Sequence, residues 1–388
     1  MKLSRRVADL ETSVTLALSA RAKALARAGR DVVDMAVGEP DFPAPRVVQE
    51  AAVEKVRSGD VRYTPAGGTP SLRAAIARTA GAARGFAVTP AEVTVCHSGK
   101  HALSGALLSI LDDGDEVLIP LPAWVSYFEQ VKIAGATPVL VPPFASGAPD
   151  LAALAAAVTP RTRVVMINSP CNPTGYVWTP AEIRSIAELA VARDLWILSD
   201  EIYATLVYEG PPAMSPASIS PEVRARTILV DGASKRYAMT GYRIGFVIAP
   251  VELAAAVERL HSQMTGSPNA ISQHAYEAAL RADPPELEEM RRRFAARRTV
   301  LVAGLRALEL PTPDTRGAFY AFPDVSRYLD GRGSAGFCED LLEKEGLALV
   351  PGSAFGMDAH VRLSFATDED TIREALRRLG RFLATVPR

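Results

Sequence analysis

Gly232-Ala233-Ser234-Lys235-Arg236-Tyr237-Ala238-Met239-Thr240-Gly241-Tyr242-Arg243-Ile244-Gly245 follows the apolar run Thr227-Ile228-Leu229-Val230. The run reads as a buried strand. A lysine just past a strand end, flanked by small residues, suits a reactive amine facing a ligand at the carboxyl edge of a sheet. Arg243 follows eight residues later, beside glycines that let a ligand approach the backbone. A solvated surface amine is the plain alternative for any lysine. An amine and a guanidinium together suit a ligand that carries both an aldehyde and a phosphate, and pyridoxal 5'-phosphate (PLP) has both.

Two further constellations follow strands. Asn168-Ser169-Pro170-Cys171-Asn172-Pro173-Thr174-Gly175 comes after Arg163-Val164-Val165-Met166-Ile167, and its Asn-Pro and Thr-Gly pairs mark a tight loop. Leu195-Trp196-Ile197-Leu198 leads into Ser199-Asp200-Glu201-Ile202-Tyr203. Asp200 and Tyr203 share a face if a helical turn starts there. Three polar groups at three strand ends converge on one crevice.

Short apolar runs alternate with helical patterns between about residues 90 and 250. The strand candidates are Val93–Cys96, Glu116–Ile119, Pro138–Val141, Val164–Ile167, Leu195–Leu198, Ile228–Val230 and Phe246–Ala249. Lys100–Leu111 carries an apolar helical stripe, and Pro180–Arg193 is entered by Thr179 with Glu182 three residues on. The Ala-rich stretch Asp150–Val158 reads as helix. Such alternation predicts an α/β fold with a mostly parallel, doubly covered sheet. After about residue 276, the helical patterns Pro285–Leu308 and Asp368–Val386 flank the short strands Ala318–Phe322, Leu347–Val350 and Val361–Phe365. That region reads as a smaller α+β domain.

Ordered along the chain, these motifs resemble the fold-type I PLP-dependent aminotransferases of the class I/II family, in the subgroup of bacterial aspartate aminotransferases. The matching stretches are Gly38-Glu39-Pro40-Asp41-Phe42, Tyr63-Thr64-Pro65-Ala66-Gly67, Ser98-Gly99-Lys100, Trp124, Asn172-Pro173-Thr174-Gly175, Asp200-Glu201-Ile202-Tyr203, Ser234-Lys235, Arg243-Ile244-Gly245 and Val361-Arg362-Leu363-Ser364. The resemblance implies an N-terminal arm and part of the small domain at 1–46, a large PLP-binding domain at 47–276 and a small C-terminal domain at 277–388. It implies Lys235 as the Schiff-base lysine and proton shuttle, and Asp200 at the pyridine nitrogen. Tyr203 and Asn172 would meet the phenolic oxygen. Ser98, Gly99, Lys100, Ser234 and Arg243 would hold the phosphate, and Trp124 would stack on the ring. Arg362, with the Gly38 amide, would clamp the substrate α-carboxylate beside Trp124 and Asn172. Tyr63 would reach the phosphate from a neighbouring subunit, which makes the expected enzyme a homodimer with shared sites. The family often carries a hydroxyl residue three before the lysine; here that position is Gly232.

The expected reaction moves an α-amino group from an amino acid, aspartate-type by default, to a 2-oxo acid such as 2-oxoglutarate. Aromatic, aliphatic or basic donors are alternatives, because relatives carry a lysine near the N-terminus where this chain has Glu11-Thr12-Ser13. A C–S or β-eliminating lyase would use the same residues. A transcription regulator on this fold needs a winged-helix domain, and fewer than forty residues precede Gly38.

With 388 residues, 48% hydrophobic and 22% charged, the chain has ordinary globular composition. A net charge of −1 gives no reason to expect nucleic acid or an anionic membrane as partner. No apolar run is long enough to cross a bilayer. Asp9 and Glu11 interrupt any apolar signal core after the basic start. Three scattered cysteines (Cys96, Cys171, Cys338) imply no disulfide framework, so a cytoplasmic location is expected. His97 and His101 have a helical metal-ligand spacing, but Gly99 lies between them and no third ligand is visible in sequence, so no metal is expected. Arg291-Arg292-Arg293 and Arg297-Arg298 read as a solvated, salt-bridged face. Cys171 reads as a spectator in its loop.

Overall fold

The computed structural model describes residues 4–8, 10, 14–144 and 146–386. Strands are numbered in chain order: β1 (Val33–Asp34), β2 (Val93–Cys96), β3 (Glu116–Pro120), β4 (Thr137–Val141), β5 (Thr162–Asn168), β6 (Trp196–Asp200), β7 (Thr227–Gly232), β8 (Gly245–Ile248), β9 (Tyr320–Ala321), β10 (Leu347–Ala348), β11 (Val350–Pro351) and β12 (Val361–Ser364). Seven of them form one sheet in the order β2-β8-β7-β6-β5-β3-β4. Only β8 runs against its neighbours. Helices cover both faces, as strand–helix alternation requires. One apolar layer joins β3, β5 and β8 residues to Leu103 and Leu107 of the helix Gly99–Ile110. The opposite layer packs Ile183 and Ile186 of the helix Pro180–Ala192 on Val165 and Ile197. That helix starts with the reciprocal Thr179–Glu182 capping pair expected from sequence.

All seven strand candidates of the large sheet are strands; Val93–Cys96 keeps its bounds and the other six shift at one end or both. β6 runs on through Asp200, so this acid is the last residue of its strand rather than the first after it. β8 begins at Gly245 and stops before Ala249.

The remainder is smaller and mixed. β11, β12 and β9 make an antiparallel sheet, and β1 pairs in parallel with β10. The stretch expected as one strand at Leu347–Val350 is therefore split between two sheets, and Ala318–Phe322 yields only β9. The helices Glu286–Ala307 and Glu369–Thr385 cover this region through Phe294, Leu301, Leu379 and Phe382.

The basic run on the helix Glu286–Ala307 is not wholly a solvated face. Arg291 and Arg292 do pair with Glu288 and Glu289 on the surface. Arg297, however, is buried and makes a two-pronged bond to Asp41, 2.7 Å to each oxygen. It also lies 4.9 Å from the Phe42 ring. It therefore ties the Gly38–Phe42 segment to the C-terminal part of the chain.

Candidate functional site

The cleft opens at the carboxyl ends of β5, β6 and β7, where ligands of parallel sheets bind. Asn168 and Asp200 lie side by side at the ends of β5 and β6. The Asn168 amide donates to the Asp200 carbonyl at 2.9 Å, and its side-chain oxygen accepts the Asn172 N–H at 2.8 Å. This pair of bonds fixes the Asn-Pro-Thr-Gly loop against β6. The resulting cleft of about 440 Å³ brings together Gly38, Ser98, Gly99, Lys100, Trp124, Asn172, Asp200, Tyr203, Ser234, Lys235, Arg243 and Arg362.

Asp200 is buried and faces the cleft. One carboxylate oxygen accepts from the Tyr127 hydroxyl at 2.6 Å, the other from the Ile202 N–H at 3.1 Å. Burial pushes the acid up to about 6, against these two bonds. A buried anion with a single side-chain donor is suited to a cationic partner.

Lys235 sits in the short helix Ala233–Arg236 directly after β7, with its ammonium donating to the Gly38 carbonyl. Burial brings it down to about 8; Glu39 opposes this, while Arg362 and Arg243 reinforce it. A lysine so placed gives up its proton more readily than a solvated one, and reaches the neutral, nucleophilic form nearer neutral pH.

Arg362 projects from β12 and is buried, not solvent-facing. Its guanidinium donates to the Ala36 carbonyl at 2.7 Å and to Asn172 Oδ1 at 3.1 Å, and lies 4.4 Å from the Tyr320 ring centroid. Its Nε is buried without a partner. A buried guanidinium with a donor to spare, facing a cleft, has the chemistry to accept a carboxylate.

On the opposite side, Ser98 caps the helix Gly99–Ile110 by accepting the His101 N–H at 3.2 Å. The amides that follow have no acceptor within the helix, the usual anion site of a helix start. A Cβ at Gly245 would come within 2.4 Å of the Gly99 nitrogen, so only glycine lets β8 pack against this turn. Arg243 lines the same end in a left-handed conformation with φ 52°. The Lys100 ammonium turns back over the Trp124 ring at 4.7 Å. At Gly232 a Cβ would lie 2.8 Å from the Gly245 Cα, so this packing leaves no room for a hydroxyl side chain there. Tyr63 is absent from the cleft and is 98% exposed on its loop.

A family model described as aminotransferase class I and II matches residues 30–379. The chain belongs to this family. Aspartate aminotransferase from Geobacillus stearothermophilus is 41% identical, with 99% of each chain covered. Aspartate/prephenate aminotransferase from Thermus thermophilus is 42% identical, with 98% of each covered. The solved structure of aspartate aminotransferase from Thermus thermophilus with maleate superposes with a TM-score of 0.94 at 41% identity, over 98% of this chain and 100% of that one. The α/β fold and aminotransferase activity expected from the motifs are thus borne out.

Several site residues of this aminotransferase escaped the sequence reading. Tyr127 lies one helical turn beyond Trp124, a spacing that could have suggested it. Asn168 ends β5, as Asp200 ends β6. Tyr320 shares a 2.9 Å hydroxyl contact with Tyr203, and nothing local in sequence marks it. Lys23 and Glu39 also line the cleft. Glu11, Thr12 and Ser13 lie outside the described residues.

The histidine reading needs correction. His101 has further neighbours, for Cys96 and His261 bring their ligand atoms within 4.8 Å of it and of each other. The His101 and His261 rings are stacked at 3.8 Å with 25° between planes, so their lone pairs run alongside rather than converge. Burial brings His101 down to about 4 and His261 to about 3, and the stack is neutral above that range. Cys171 is buried, and burial pushes its thiol up to about 11, away from nucleophilic use.

Proposed function

We propose that this aminotransferase uses PLP, takes its amino group from aspartate and delivers it to a 2-oxo acid such as 2-oxoglutarate. The observation that carries the reading is the convergence on one cleft of Lys235, half-buried, with Asp200 and Arg362, both buried. The donor set fits PLP group by group. Asp200 would pair with the pyridine nitrogen, and Trp124 would cover the ring. Tyr203 and Asn172 would face the phenolic oxygen. The amides of Gly99 and Lys100, with Ser98, Ser234 and Arg243, would take the phosphate. Lys235 would carry the aldehyde carbon.

Bound PLP supplies an electron sink that makes the amino acid's Cα–H acidic. The protein's own residues do the rest. Arg362 grips the α-carboxylate through its unpartnered Nε and the adjacent terminal nitrogen, assisted by the Gly38 amide, and so fixes which Cα bond faces Lys235. Lys235, neutral once its proton is gone, takes the proton from Cα. Asp200 stays anionic, steadied by Tyr127, and so favours a protonated pyridine nitrogen. Tyr320 holds Tyr203 and flanks Arg362, which keeps both in place.

Two ammonium groups support a dicarboxylate donor. Lys23 and Lys100 line the cleft in addition to Lys235, and a second carboxylate needs such a cation. The Thermus thermophilus relative was solved with maleate, itself a four-carbon dicarboxylate.

The proposal extends to assembly and domains. A homodimer in which the partner subunit's Tyr63 completes the phosphate site is supported by the outward loop and by exposed Val53, Val56 and Val61 near it in sequence. The small body at 1–46 and 277–388, set against 47–276, is supported by the β1–β10 pairing and the Arg297–Asp41 tie. No described helix is long and apolar enough to cross a membrane, and a cytoplasmic site of action is part of the proposal.

The test is a half-reaction without acceptor. PLP-loaded protein given aspartate should release about one oxaloacetate per subunit and no ammonia. Turnover to ammonia would instead mean an eliminating lyase.

A further inference from the structure

Behind the cleft, outside its lining, three charged side chains close on one another. Arg84 ends the helix Pro70–Arg84. Its Nε donates to Glu201 at 2.6 Å and a terminal nitrogen donates to Asp231 at 2.8 Å. The three side chains are only 10%, 5% and 17% exposed. The other Glu201 oxygen accepts from Ser199 at 3.0 Å and Ser215 at 2.6 Å, and the other Asp231 oxygen accepts from the Gly232 N–H at 2.7 Å. The cluster is thus satisfied, with one cation for two carboxylates.

Its position gives it a consequence for the site. Glu201 follows Asp200 directly, and Asp231 lies four residues before Lys235. The Glu201 N–H also donates to the Val230 carbonyl at 2.8 Å. Arg84 therefore bridges the ends of β6 and β7, the strands that present the site's acid and its amine. Charges this deep are weakly screened.

We propose that Arg84 is a positioning residue: as shared counter-charge for Glu201 and Asp231, it shields Asp200 and Lys235 from two buried negative charges and holds their strand ends together. The inference rests on the PLP reading above. Without Arg84, the two carboxylates make ionised Asp200 less favourable and ionised Lys235 more favourable. Both effects run the same way, towards protonation at higher pH. The other groups that face Asp200 are Tyr127, Tyr203, Cys171 and Lys235; those that face Lys235 are Glu39, Arg243 and Arg362. All of them are unchanged in the variants that follow. Burial alone would lower the Arg84 proton affinity, but Glu201 and Asp231 together hold it above its ordinary value, so it stays charged.

The test is a pH titration of bound-cofactor absorbance in PLP-loaded protein, with the kcat/KM profile alongside. Arg84→Met should move the absorbance midpoint and the acid limb of kcat/KM upward, by on the order of one pH unit. The neutral pair Glu201→Gln/Asp231→Asn, which leaves Arg84 uncompensated, should move both downward. The triple variant Arg84→Met/Glu201→Gln/Asp231→Asn should return both close to wild type. A merely structural strap would lower the melting temperature in every variant without this reversal of sign. Should Arg84→Met not fold, the neutral pair decides by itself: an unmoved midpoint overturns the proposal. Wild-type protein that binds no PLP overturns the cofactor reading and this inference with it, whereas unmoved midpoints in protein that does bind it overturn this inference alone.

Discussion

The Tyr127 hydroxyl donates to Asp200 Oδ2 at 2.6 Å, with both side chains buried. It is the only side-chain donor to that carboxylate among the described residues, and it opposes the burial that pushes the acid up to about 6. A charge-assisted bond of this kind contributes roughly 1.5–3 kcal/mol. We predict that Tyr127→Phe lowers kcat by about tenfold or more. The sign of the pH effect follows: loss of a donor to the anion raises the Asp200 pKa, so the acid limb of the kcat profile moves to higher pH. Steady-state rates between pH 5 and 9 check this, and an unmoved acid limb would contradict it.

A second pH effect belongs to Lys235, which burial brings down to about 8. Below that pH the amine is protonated and cannot attack an aldehyde; above it the neutral form dominates. We predict that cofactor-stripped protein captures PLP at a rate that rises with pH to a plateau, with half-maximum near pH 8. Stopped-flow absorbance measures it. A half-maximum near the ordinary lysine value of about 10.4 would show that the pocket does not tune this group.

Much of this was legible in the sequence because strand ends in α/β folds are punctuated. Lys235, Asp200 and Asn172 each follow an apolar run, and the runs became β7, β6 and β5. The short strands around Leu347–Val350 and Ala318–Phe322 are less legible. Their pairing depends on β1 and β12, which are remote in sequence. Arg362 alternates with the apolar Val361 and Leu363, a pattern that by itself suits a half-solvated strand, and only tertiary packing puts both faces of β12 inside. Tyr320 and Arg84 act through partners more than a hundred residues away, a relationship that no local spacing encodes.

Assembly gives a third prediction. Tyr63 is exposed and apart from its own cleft, so in a two-fold dimer it would serve its partner's site. Lys235→Ala and Tyr63→Ala subunits should each be impaired alone. Mixed dimers should carry one intact site and recover up to about half of wild-type activity, since both defects fall in the other site. No recovery after verified subunit exchange would count against a shared site.

Donor choice gives a fourth. Lys23 and Lys100 are the cations available to a second carboxylate. Lys100→Ala and Lys23→Ala should each lower kcat/KM for aspartate, by about tenfold for a lost charge-assisted contact. Values for alanine or phenylalanine as donor should change little. An equal loss for all donors would place these lysines outside the distal-carboxylate contact.

If Lys235 holds PLP in this cleft, reduction of the bond between them should trap the cofactor there. Borohydride reduction of PLP-loaded protein, followed by peptide mapping, tests this most directly. We expect one phosphopyridoxyl group per subunit, on Lys235, and none on Lys235→Ala protein prepared in the same way. Stoichiometric label on Lys100, Lys23 or any other lysine of the wild-type chain, with Lys235 unmodified, would contradict it.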